Sequence, residues 1–195
     1  MLQRRWAVAL LLVGAIAGWP AVAGAVPITY LDTLSSGVPV FGTNDQAPAN
    51  QNNPVGADYY QFFATSGSAV TVTGIRLAGF YDMSFWLFSG LFTDTDDFGA
   101  SFDSGDAPFA DFADDELFPA IPGPFGDPQS VFFAPATGWY TVAVTNFLSA
   151  SGGPPNPYSL VAGGVDNVPE PGTLLLIGSG LAGLAMRRRR QARRD

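Results

Sequence analysis

The chain has 195 residues, with nine arginines, seventeen acids and no lysine, histidine or cysteine. Between Val26 and Val168 a single base, Arg76, stands against fifteen acids, so that stretch has a net charge of −14. This excludes nucleic-acid backbone binding by the middle of the chain, which needs clustered basic residues. It also excludes Ser-His-Asp and Cys-His catalysis, thiolate metal sites and disulfides.

The first six residues carry Arg4 and Arg5, residues 7–16 are an apolar run broken only by Gly14, and residues 17–25 are small and turn-rich. Basic, short apolar, then small is the order of a secretory signal peptide. It is predicted over residues 1–25, with cleavage after Ala25 and Ala23 as the alternative. Ten apolar residues are too few to span a bilayer. A chain that starts this way is expected to be exported by a Sec-type pathway.

Residues 26–167 are long enough for a real core, and their local pattern is strand. Short runs rich in aromatic and β-branched residues occur at 28–34, 59–64, 70–77, 83–88, 130–133, 137–147 and 158–162, with glycine and proline in the gaps. No window shows sustained helical spacing. The predicted fold is all-β, an antiparallel, jelly-roll-like β-sandwich. Two long gaps, 35–57 and 89–128, read as loops of the length that is usually functional.

The second gap holds the most informative chemistry. Asp94, Asp96, Asp97, Asp103, Asp106, Asp111, Asp114, Asp115 and Glu116 fall within 23 residues that contain no base. Hard oxygen donors suit calcium, and a cation would relieve the repulsion of so many carboxylates. The candidate ligands are Asp94, Asp96 and Asp97, then Asp103 and Asp106, with Asp82 able to join from the neighbouring strand. The spacing is not that of an EF-hand: counted from Asp94, position five is Phe98 and position twelve is Gly105. A solvated acidic loop without an ion is the other reading of the same residues. Seven phenylalanines alternate with these acids, which is unlike a disordered segment. Docking on a sandwich face and a sticky patch for partners both fit them. Trp86 and Trp139 are candidates for stacking on a sugar ring, against core filling as the plainer alternative. Arg76 is expected to pair with a nearby carboxylate. Nothing fixes two carboxylates at a chosen separation, so an enzyme is not expected.

The middle of the chain resembles the bacterial pre-peptidase C-terminal type of β-sandwich. The residues that carry the resemblance are Asp58-Tyr59-Tyr60-Gln61-Phe62, the run from Tyr81 to Phe88, Asp94-Thr95-Asp96, and Thr137-Gly138-Trp139-Tyr140 with the apolar strand after it. The resemblance implies a noncatalytic accessory domain, in some members a calcium-binding one.

After Val168 come Pro169-Glu170-Pro171, an uncharged stretch at 173–186 interrupted by Gly178, Gly180 and Gly183, and six arginines among residues 187–194. Fourteen residues are marginal for a membrane span, and the arginines are expected on the cytoplasmic side. Triad, apolar stretch and terminal arginines together resemble the PEP-CTERM sorting signal. The resemblance implies recognition of Pro169, Glu170 and Pro171 by an exosortase-type membrane peptidase and transient residence of 173–186 in the inner membrane. It further implies delivery to the envelope surface or exterior of a Gram-negative bacterium that makes exopolysaccharide or biofilm matrix. The expectation is therefore three parts: signal peptide 1–25, acidic sandwich 26–167 and sorting tail 168–195. The function expected is a noncatalytic surface or matrix protein, with calcium as its cofactor. The alternative is a carbohydrate-binding module for matrix polysaccharide.

Overall fold

The computed structural model describes residues 25–44, 54–78, 81–99, 101–147, 156–167 and 179. Apart from Ala25 and Ser179, the expected signal peptide and sorting tail lie outside the described residues. Nine strands are present among the described residues: β1 (Tyr30–Thr33), β2 (Val40–Asn44), β3 (Asp58–Ala64), β4 (Ala69–Arg76), β5 (Met83–Ser89), β6 (Phe109–Ala113), β7 (Gln129–Phe133), β8 (Gly138–Asn146) and β9 (Asn156–Gly163). They form a five-stranded sheet in the order β1-β3-β8-β5-β6 and a four-stranded sheet in the order β2-β9-β4-β7.

The pairing is nested. Strand β2 pairs with β9, β3 with β8, β4 with β7 and β5 with β6, all antiparallel. The β4–β9 and β5–β8 pairs then complete the two sheets. One long antiparallel ribbon rolled onto itself in this way is a jelly roll. The expected all-antiparallel pairing fails at one edge, where β1 runs parallel to β3. Between the two the chain visits the opposite sheet as β2, so it returns in the direction in which it left. Strands β2 and β6 also lie inside the gaps read as loops.

The inner faces of the sheets enclose the main core. On β4, Val70, Val72, Gly74 and Arg76 are buried, while the residues between them are partly or fully exposed. Tyr60, Phe62, Tyr140, Val142, Phe85 and Leu87 meet them from the other sheet. Strands β5 and β8 are buried along almost their whole length because both of their faces are covered. The second cover comes from the acidic segment. Phe98, Phe102 and Ala107 fold over Tyr59, Trp86, Phe88 and Ala143 and make a smaller apolar cluster on the outer face of the five-stranded sheet. Docking is therefore the fate of Phe98 and Phe102, and of Phe92 and Phe112 in part. Phe109 and Phe118 stay outside, 54% and 98% exposed.

Candidate functional site

Two of the expected calcium ligands are engaged in local structure. A 3-10 turn over Thr95–Phe98 carries Phe98 into the outer cluster, and Asp94 caps its start: the Asp94 carboxylate accepts from the Asp96 N–H at 3.0 Å. The Asp97 carboxylate reaches back to accept from the N–H of Thr93 at 2.8 Å and of Asp94 at 3.3 Å. These bonds to its anionic form hold the Asp97 carboxyl below the ordinary carboxylate range. Asp96 is exposed. Asp103 lies in the second 3-10 turn, Phe102–Ser104, and the exposed Asp106 lies close over Gly99. The geometry of this segment is that of a capped turn holding an apolar cover in place.

The two candidate sugar-stacking residues have different surroundings. Trp86 is 8% exposed, with the rings of Phe112, Phe102 and Phe109 at 4.6, 5.8 and 5.8 Å. Its indole is occupied by neighbours of its own chain. Trp139 is half-buried on β8 and meets Phe63 edge-to-face at 5.6 Å.

The distinctive chemistry lies where β5 begins and β6 ends. Arg76 on β4 is fully buried and anchors this corner. Its main-chain N–H and its Nε both donate to Asp127 Oδ1 at 3.1 Å. Nη1 donates to the Tyr81 carbonyl at 3.1 Å and Nη2 to the Phe125 carbonyl. The expected carboxylate partner of Arg76 is thus Asp127, itself 1% exposed. The other oxygen of Asp127 accepts from the Ala120 N–H, and paired backbone bonds between Leu117 and Asp127 close the base of a loop.

Against this knot lie Asp82, Asp114 and Asp115. Each offers one carboxylate oxygen, and the three oxygens are within 4.8 Å of one another. It is the group of three carboxylates that the fold brings together among the described residues. Asp82 is 2% exposed, Asp114 is half-buried and Asp115 is exposed. Backbone contacts fix the segment. Glu116 Oε2 accepts from the N–H of Asp114 at 2.9 Å and of Gln129 at 3.0 Å, and Asp115 Oδ1 accepts from the Gly126 N–H. By contrast Asp82 Oδ1 and Asp114 Oδ1 are buried with no hydrogen-bond donor. Burial first, then the Asp115 charge, pushes the Asp82 carboxyl up to about 6. Burial, then the Asp82 and Asp115 charges, pushes Asp114 up to about 7. The two carboxyls titrate as a coupled pair, and each is pushed upward because the pair cannot readily carry two charges in this buried corner. Such a corner can share protons or hold a hard cation. Composition pointed to the acidic segment but not to these members of it. The sequence pattern centres the expected ligands on Asp94, Asp96 and Asp97 with Asp82 as an addition, and places Asp114 and Asp115 only in the wider acidic run.

Comparison with known proteins finds the PEP-CTERM protein-sorting motif at residues 167–190. No curated protein matches the chain. Among solved structures, the pre-peptidase C-terminal domain of a collagenase from Bacillus anthracis aligns at 13% identity and TM-score 0.42, covering 69% of this chain and 97% of that one. CorA, a surface-associated copper-binding protein of Methylomicrobium album BG8, aligns at 11% identity and TM-score 0.48, covering 69% and 98%. PliG, a periplasmic inhibitor of g-type lysozyme from Aeromonas hydrophila, aligns at 22% identity and TM-score 0.41, covering 69% and 99%. At 11–22% identity these are likenesses of outline.

Proposed function

We propose that the chain is a noncatalytic exported protein of a Gram-negative bacterium. An exosortase-type peptidase delivers it to the envelope surface or exterior, where it acts in exopolysaccharide or biofilm matrix. The observation that carries this reading is the sorting motif at residues 167–190. It includes Pro169-Glu170-Pro171 and ends in the arginine run. The fold is compatible with a cut at the triad. Strand β9 ends at Gly163, and the last backbone bond of the sandwich among the described residues is donated by the Asp166 N–H to the Phe63 carbonyl. A cut beyond residue 168 removes no strand and no described core residue, so an acidic sandwich would be released whole.

The test is the fate of a chain with all three of Pro169, Glu170 and Pro171 changed to alanine. An uncleaved precursor should accumulate in the membrane fraction, as it should for the native chain in cells without the peptidase. Normal processing and release in either case would refute the reading. The carbohydrate-binding alternative rests on the half-buried Trp139, since the ring of Trp86 is covered.

A further inference from the structure

We propose that Asp82, Asp114 and Asp115 form a binding site for a hard divalent cation, with calcium as the best fit. Calcium–oxygen distances are about 2.3–2.6 Å, so two oxygens on one ion lie at most about 5 Å apart. The three oxygens here are within 4.8 Å of one another, a span that one ion can bridge. Proximity of acids alone would not distinguish this corner from the rest of an acidic chain. The donor pattern does.

Asp94, Asp97, Asp115, Glu116 and Asp127 each accept a backbone N–H, and Asp111 accepts the Ser130 hydroxyl. Asp82, at 2% exposure, has a buried oxygen that no donor reaches, and so does Asp114. Buried polar atoms of native proteins are rarely left in this state, and each instance calls for an ion, a proton or a water. Among the described residues the one cationic side chain is Arg76. Its guanidinium is already committed to Asp127 and to the Tyr81 and Phe125 carbonyls. That commitment still serves the site, because the bond to Tyr81 holds the peptide directly before Asp82. On the solvent side, Asp115 and Glu116 line an open depression of about 420 Å³ with the 117–126 loop. Water there can complete the six to eight ligands that calcium takes. A bound ion would tie the start of β5 to the end of β6.

The experiment is a titration of the full chain, in mild detergent, with calcium chloride, followed by calorimetry and by thermal unfolding, with magnesium as control. One calcium per chain is expected. At calcium 100 times Kd the unfolding temperature should rise by roughly 5 °C or more. Asp82→Asn and Asp115→Asn should each abolish the rise, and Asp94→Asn combined with Asp96→Asn should leave it intact. If Asp82→Asn does not fold, the exposed Asp115→Asn decides. No binding heat and no rise would overturn the proposal and leave carboxyls that share a proton only. A rise that survives Asp115→Asn but is lost in the Asp94/Asp96 double variant would also overturn it, by moving the ion to the capped turn. Neither result bears on sorting, which the triad variant tests separately.

Discussion

Replacing Asp127 with alanine is expected to cost the sandwich about 3–5 kcal/mol, the usual result of stranding one partner of a buried ion pair. Arg76 is wholly buried and Asp127 nearly so. The change removes both bonds that Arg76 makes to Oδ1 at 3.1 Å and the bond from the Ala120 N–H to Oδ2. Arg76 would keep its bonds to two carbonyls but lose its counter-charge. A domain is typically stable by about 5–15 kcal/mol, so this one change would remove about a fifth of the total or more. With a urea slope of about 2 kcal/mol/M, the unfolding midpoint should fall by about 1.5–2.5 M. Asp127→Asn, which keeps an acceptor oxygen without the charge, should fall between Asp127→Ala and the native chain. Asp96→Asn, at an exposed position, should stay within about 0.5 kcal/mol. A midpoint loss below about 0.5 M for Asp127→Ala would refute the view that this pair holds the corner together.

Phe98→Ala should cost about 3–5 kcal/mol, because the ring is 1% exposed and packs against Phe92, Phe88 and Phe102 at 4.5–5.0 Å. Amide exchange should then rise across residues 91–107 before it rises in β3 or β8, and uniform exchange throughout would contradict a separate outer cluster. In chelator the chain should lose stability as pH rises. A carboxyl whose folded value is raised contributes fully below its unfolded value near 3.8, and the contribution is lost through about pH 6–7, where Asp82 and Asp114 ionise. Denaturation at pH 5 and pH 8 should show the difference, and Asp82→Asn should flatten it; equal stability in the native chain would count against the coupled pair. Gly126→Ala should destabilise by about 1–3 kcal/mol, since its Cβ would meet the Leu117 carbonyl at 2.6 Å and Asp115 at 2.9 Å. An unchanged urea midpoint would mean that the loop yields freely. Trp139→Ala should abolish any quenching of tryptophan fluorescence by purified matrix polysaccharide, and quenching that persists would remove Trp139 from a sugar site.

The sequence alone determined the address and most of the sandwich. The sorting motif at 167–190 is a pattern in chain order, so its triad, apolar stretch and arginines are visible without a fold. Seven of the nine strands are visible for a similar reason: alternation on β4 or an aromatic run on β5 is a local pattern. Strand β2 was hidden because, after Val40, its inward positions are Gly42 and Asn44. Gly42 leaves room for the Tyr60 and Tyr158 hydroxyls, which an added Cβ would meet at 2.5 and 2.4 Å, and Asn44 faces inward beside it. Strand β6 was hidden by its aspartate and by a register shift against Leu87 and Phe88. Composition counted the acids but could not show which of them lack donors. That depends on tertiary pairing: the register Phe85↔Ala113, continued past the strand ends, brings residues 114–116 alongside 82–84. Distant aspartates become neighbours there, in a corner where Arg76 is already bound to Asp127. No local pattern carries that information, because the repulsion of Asp82 by Asp114 and Asp115 exists only once β5 and β6 are paired.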